Sequence, residues 1–123
     1  GKSLSAAIAE VYGVQVYPFW WKMDVPKNKD EWEMVTRTLD QHDPEAAVIL
    51  LGSNAPIEEF QEWFRIFRSS PYACGFAIGR SIFWEAWLDF ASGTRSREEI
   101  PEIISNHYHQ LIKLWDASQA SAN

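Results

Sequence analysis

The chain has 123 residues, the span of one ordinary domain, and 46% hydrophobic with 23% charged content describes a globular polypeptide, not a disordered one. A formal charge of −6 with no basic run repels nucleic-acid phosphates, so nucleic acid is excluded as a partner. No apolar stretch approaches the ~18 residues that a membrane-spanning helix needs, which excludes the membrane as well. Seven Trp, seven Phe and four Tyr imply a core or an interface of real size, because each buried ring removes a large area from water. The opening GKSLSAAIAE lacks the long apolar run of a secretion signal. Cys74 is the only cysteine and cannot form an intrachain disulfide, which fits a reducing cytoplasm.

In chain order, Leu4, Ile8 and Val11 recur at helical spacing, so residues 3–12 read as a helix that Gly13 breaks. Val14–Tyr17 reads as a strand running on past Pro18 to Trp20–Met23, and Pro26 and Asn28 mark a loop. Asn28 can cap the next helix with Glu31 as its reciprocal partner. Trp32, Val35 and Leu39 form that helix's apolar stripe, and Asp43-Pro44 stops it. Ala47–Leu51 is a continuous apolar run, as expected of a strand buried on both faces of a parallel sheet. Gly52-Ser53-Asn54 ends it, and Pro56 suits the first turn of a helix with Ile57, Phe60, Phe64 and Phe67 on one face. Ser69-Ser70-Pro71 closes that helix, and Ala73–Ile78 is a third short strand.

Gly79-Arg80-Ser81 then turns into a helix carrying Ile82, Phe83, Trp84, Trp87 and Leu88, with Gly93 as its C-cap. Ser96 and Glu99 make a capping box for a last helix, which begins there or nearer Pro101. Ile103, Ile104, His107, Leu111 and Leu114 continue its apolar face, and the polar residues 117–123 read as a frayed tail. Strands thus alternate with helices at βα spacing, which predicts an α/β fold with a parallel sheet and right-handed crossovers. Three such strands leave two raw edges, where a closed barrel needs eight strands. The chain therefore reads as a single partial (β/α) barrel segment over 1–123. Its missing surface would come from the remainder of a barrel or from a second copy of the chain. The alternative is a compact three-layer domain that covers its edges with its first and last helices.

The chemistry-bearing residues gather at strand ends. Gly79-Arg80-Ser81 lies where a strand passes into a helix, so backbone N–H groups, the positive helix end and the Arg80 fork can all meet a phosphate. The same residues also suit a tight turn with Arg80 in an ion pair. Lys22 shares one strand face with Pro18 and Trp20. Crowding by rings strips its hydration and favours the free amine, the form that attacks a carbonyl. It could instead extend into solvent and pair with Asp24. Asp40, His42 and Asp43 read as a helix stop and not as a metal site. His107 is expected to pack and His109 to face water, Cys74 reads as core, and the Trp84–Trp87 face reads as core. No zinc, P-loop or dinucleotide motif is present.

The ordered segments Trp20-Trp21-Lys22, Ile49-Leu50-Leu51-Gly52 and Cys74–Phe83 (CGFAIGRSIF) resemble a bacterial domain fused behind the sugar kinase of myo-inositol catabolism. That domain is itself similar to class I aldolases of the tagatose-bisphosphate and sulfofructose-phosphate type. The resemblance covers roughly residues 10–115. It implies a TIM (β/α)8 barrel of which this chain supplies the sixth to eighth βα units, with acid/base groups on upstream strands. It implies Lys22 as the Schiff-base lysine, Gly79 and Arg80 as holders of the substrate phosphate, and Gly52 and Ser53 as further parts of that pocket. The implied ligand is a phosphorylated sugar, and a protonated imine needs no metal or other cofactor. Two functions follow: a class I aldolase-like domain acting on phosphorylated ketoses of inositol or sugar catabolism, or a non-catalytic phosphosugar-binding or regulatory domain associated with a sugar kinase.

Overall fold

The computed structural model describes residues 1–26 and 28–122. Eight principal elements follow one another: α1 (Leu4–Gly13), β1 (Trp20–Met23), α2 (Lys29–His42), β2 (Ala47–Leu51), α3 (Phe60–Phe67), β3 (Ala73–Ala77), α4 (Arg80–Ala91) and α5 (Ile100–Ala122). The strands form one parallel sheet in the order β1-β2-β3. The α/β class and the parallel sheet expected from the βα rhythm are therefore present.

Local signals set most boundaries. Asn28 Oδ1 accepts the Glu31 N–H at 2.9 Å and starts α2, whose Trp32, Val35 and Leu39 are buried as the spacing predicts. Gly93 has φ +79° just beyond α4, in the left-handed region where a glycine escapes the Cβ penalty. Ser96 and Glu99 form the predicted capping box, which leads through a short 3-10 turn into α5. The helix before β3 likewise opens with a 3-10 turn at Ile57–Glu59, so α3 proper begins only at Phe60.

All five helices feed one core. Ile8 and Tyr12 of α1, Trp32 of α2, Phe60 and Phe64 of α3, Ile82 of α4 and Leu111 of α5 join Val48 and Leu50 of β2 in a single buried cluster. Directional polar contacts fix the packing. Trp21 Nε1 donates to Tyr12 Oη at 3.0 Å, Trp32 Nε1 to the Phe67 carbonyl at 3.1 Å, and Arg68 Nη1 to the Trp115 carbonyl at 2.6 Å. His107 packs as expected, its Nδ1 2.7 Å from the Ile82 carbonyl, whereas His109 is exposed.

Several expectations fail, for related reasons. Burial in β2 alternates, with Val48 and Leu50 enclosed but Ala47, Ile49 and Leu51 only half-buried, so the helices cover one face of the sheet and not both. Cys74 is exposed, and its thiol donates to the Val48 carbonyl at 3.1 Å, so it is not core; burial of its surroundings still raises the thiol's pKa. In α4 only Ile82 and Ala86 are buried, while Trp84 and Trp87 face outward, Trp87 at 50% exposure. Val14–Tyr17 forms no strand. Gln15 adopts φ 59°, which turns the chain, and β1 begins only at Trp20. The expected frayed tail is helical as far as Ala122, with Ser118 buried and donating to the Trp115 carbonyl at 2.5 Å; Asn123 lies outside the described residues.

Tyr72 gives the fold a pH signature. It is buried beside β3, and its hydroxyl donates to Asp40. Burial first, then the hydrogen bond to that carboxylate, pushes its pKa up to about 12. The unfolded phenol ionises near 10, so the stabilisation is whole below pH ~10 and disappears as pH rises through ~12. Urea titrations across that window should show stability falling by up to about 3 kcal/mol. Tyr72→Phe should remove most of that fall; an unchanged alkaline slope would place its origin elsewhere.

Candidate functional site

Parallel strands deliver their C-terminal ends to one side of a sheet, and the loops beyond them can converge. Met23 of β1 pairs with Leu50, and Leu51 of β2 pairs with Ala77 of β3. The residues just beyond these pairs line a cleft of about 480 Å³, with Asp24 from the first loop, Gly52, Ser53 and Asn54 from the second, and Gly79, Arg80 and Ser81 from the third. The four residues singled out for phosphate, Gly52, Ser53, Gly79 and Arg80, therefore share one cavity.

The cleft holds opposite charges, the Asp24 carboxylate at the end of β1 and the Arg80 guanidinium at the start of α4. Gly79 offers no side chain to cap the 12-residue helix α4, and the first main-chain bonds there are Ile82 N–H and Phe83 N–H to the Gly79 carbonyl. The N–H groups ahead of them have no partner within the helix, and the helix end carries partial positive charge. Arg80 is exposed in the cleft and makes no ion pair or hydrogen bond among the described residues, although the chain carries 17 acidic against 11 basic residues. The ion-pair alternative for Arg80 is thus absent from the structure. Ser81 Oγ is buried and has no hydrogen-bond partner among the described residues.

The glycines have different duties. A Cβ on Gly52 would lie 2.9 Å from Ile78 Cγ2 and 3.2 Å from Ser81 Oγ, so a glycine is what lets the β2–α3 loop touch the start of α4. A Cβ on Gly79 would meet only Phe83 Cε1 at 3.5 Å, an ordinary contact. Its φ of −117° is open to any residue, so Gly79 lines the cleft without being required by a left-handed turn.

Ser53 and Asn54 both adopt left-handed φ, at 50° and 61°. That conformation costs roughly 1–2 kcal/mol for a residue with a Cβ, although asparagine tolerates it. Ser53 Oγ donates to Asp24 Oδ1 at 2.7 Å, which ties this loop to the end of β1. The contact joins residues 29 positions apart, and no local pattern signals it.

Lys22 stands apart from the other four. It pairs with Ile49 on the sheet face that the helices leave open, and it is exposed. It does not line the cleft, and it forms no ion pair with Asp24 or with any other described residue. The Asp40, His42 and Asp43 cluster is occupied structurally: Asp40 accepts from Tyr72, His42 stacks on Tyr12 with centroids 5.1 Å apart, and Asp43 ends α2.

No helix among the described residues is long and apolar enough to cross a membrane. A family profile described as "Uncharacterized protein conserved in bacteria (DUF2090)" matches residues 1–119. No curated protein and no solved structure matches the chain.

Proposed function

We propose that this chain, which belongs to the bacterial DUF2090 family, is the phosphate-holding part of a class I aldolase-like (β/α) barrel acting on phosphorylated ketoses of inositol or related sugar catabolism. The observation that carries the reading is the convergence of Gly52, Ser53, Gly79 and an unpaired Arg80 on one cleft at the strand ends, against the uncapped start of α4. In barrels, the loops after the last two strands are where phosphate is held. The open sheet face supports the same architecture, since a barrel interior lies opposite its helices. Further βα units or a second copy would cover that face, together with Phe19 at 90% and Trp20 at 63% exposure. The setting is the cytoplasm, whose reducing conditions suit the lone thiol.

Lys22 lies on the open face, two residues before Asp24 of the cleft wall. Its amine would add to the ketose carbonyl and water would leave; as the bond between the α and β carbons of the resulting protonated imine breaks, its electron pair would form an enamine, while the β-hydroxyl gives its proton to a base on the upstream strands and becomes the aldehyde product. No metal or cofactor enters that chemistry. Trapping with borohydride and dihydroxyacetone phosphate should add one reduced adduct to Lys22, read by peptide mass. Arg80→Ala should weaken binding of the same ligand by roughly 10- to 100-fold, the worth of a charge-assisted phosphate contact. Absence of any adduct rules out the Schiff-base step.

A second reading, a non-catalytic phosphosugar-binding or regulatory domain, is favoured by the position of Lys22 outside the cleft lining. It requires Arg80 and dispenses with Lys22. Under it, Lys22→Ala leaves ligand affinity unchanged and no turnover is seen with any ketose phosphate.

A further inference from the structure

We propose that Asp24 and Ser53 form a hydroxyl-reading subsite beside the phosphate cradle, so that the cleft selects phosphate monoesters carrying a hydroxyl near the phosphate over simple alkyl phosphates. The inference rests on the anion-site reading above and assigns Ser53 a different part in it. A serine hydroxyl has a single proton to donate. Ser53 gives that proton to Asp24 Oδ1 at 2.7 Å, so its oxygen presents only lone pairs to the cleft. A phosphate dianion offers lone pairs too, and the Ser53 hydroxyl therefore has nothing to give it. The second oxygen of the Asp24 carboxylate is likewise an acceptor, and it repels an anion placed against it.

The cleft wall is thus divided by hydrogen-bond polarity. On one side stand donors: the Arg80 guanidinium, the free N–H groups at the start of α4, and Ser81 Oγ, a buried hydroxyl with no partner among the described residues. On the other stand the acceptors Asp24 and Ser53. A ligand that satisfies both sides carries an anion and, a short distance along its skeleton, an O–H donor. The left-handed backbone at Ser53 and the hydrogen bond to Asp24 hold the acceptor pair in place before the ligand arrives.

The test is calorimetric titration with inorganic phosphate, glycerol 3-phosphate and n-propyl phosphate, for the unaltered chain and for Asp24→Ala, Ser53→Ala and Arg80→Ala. Glycerol 3-phosphate should bind the unaltered chain roughly tenfold more tightly than n-propyl phosphate, since only the former has a hydroxyl to donate to the Asp24 carboxylate, a charge-assisted hydrogen bond. Asp24→Ala should bring that ratio close to one while inorganic phosphate binds equally well or more tightly, an outcome that mere loosening of the loop would not produce. Ser53→Ala should reduce the ratio in the same direction, and it decides the matter should Asp24→Ala fail to fold by circular dichroism. Equal binding of the two esters by the unaltered chain, or a preference that survives both substitutions, overturns the hydroxyl subsite and leaves the phosphate cradle standing. Failure of all three ligands to bind, with Arg80→Ala indistinguishable from the unaltered chain, overturns both.

Discussion

Phe64→Ala is expected to lower the unfolding free energy by about 3–5 kcal/mol in urea denaturation, the usual cost of emptying a phenylalanine site in a core. The ring is fully buried on α3. Its centroid lies 5.3 Å from Phe76 of β3, 5.2 Å from Trp115 of α5 and 5.5 Å from Phe60 of its own helix. It therefore joins the middle helix to a strand on one side and to the last helix on the other. The cavity has little means of collapsing, because Trp115 is also held by the Arg68 guanidinium 4.2 Å above its ring and by the Arg68 bond to its carbonyl. Domains of this size are stable by only about 5–15 kcal/mol, so the variant should sit near the edge of folding at 37 °C. Phe64→Leu keeps most of the volume and should cost clearly less. A loss below about 1 kcal/mol for the alanine variant would show that this aromatic junction is not the core of the fold.

Gly52→Ala should damage both stability and the cleft. The added methyl would meet Ile78 Cγ2 at 2.9 Å and Ser81 Oγ at 3.2 Å, so either the β2–α3 loop or the start of α4 must move. Overpacking of this kind typically costs about 1–3 kcal/mol. The penalty is steric and not conformational, since Gly93 is the glycine with positive φ among the described residues. Phosphate affinity should fall along with stability, because the displaced segments carry Ser53 on one side and Arg80 on the other. Shortening the opposing side chain tests the cause: Ile78→Ala combined with Gly52→Ala should recover part of both losses, a coupling expected only of residues in contact. Independent, additive effects would mean that the methyl does its harm elsewhere.

Much of the fold was legible because its signals are local. Asn28 with Glu31 and Ser96 with Glu99 announce helix starts, and the stripe of Trp32, Val35 and Leu39 announces which face turns inward. The failures share one cause: apolar character tells that a residue prefers to be covered, not what covers it. The Ala47–Leu51 run has the composition of a strand enclosed on both faces and is enclosed on one. Trp84 and Trp87 have the spacing of a core stripe and lie outside, while the buried residues of α4 are Ile82 and Ala86. Val14–Tyr17 has strand composition, yet Gln15 turns the backbone before any neighbour can pair with it.

The cleft was half legible for a comparable reason. A glycine and an arginine where an apolar strand passes into a helix point to an anion site, so Gly79 and Arg80 are legible in the residues themselves, whereas Gly52 and Ser53 are indicated only by the family resemblance. The Asp24–Ser53 contact depends on β1 lying directly beside β2, a fact of tertiary arrangement. Lys22 shows the converse: its place on a strand beside Trp20 is anticipated, although Pro18 lies outside β1, while its separation from the cleft depends on how far the β1 loop carries the chain past the sheet.

The parallel sheet also governs how quickly such a chain can assemble. Trp20 lies beside Ala47 and Val48 beside Ala73, so each ladder joins strands separated by a whole helix, and among the described residues no two strands meet through a hairpin. Each pairing must first close a loop of some two dozen residues, and the entropy is lost before the first inter-strand bond forms. The helices, whose contacts are local, can form ahead of the strands. β2 is then satisfied only when both neighbours have arrived, and until that moment its apolar run is bare on both sides and open to pairing with another molecule. For this polypeptide the hazardous interval is the wait for the second crossover to close, and the same strand that centres the finished sheet is the one most exposed to misassociation along the way.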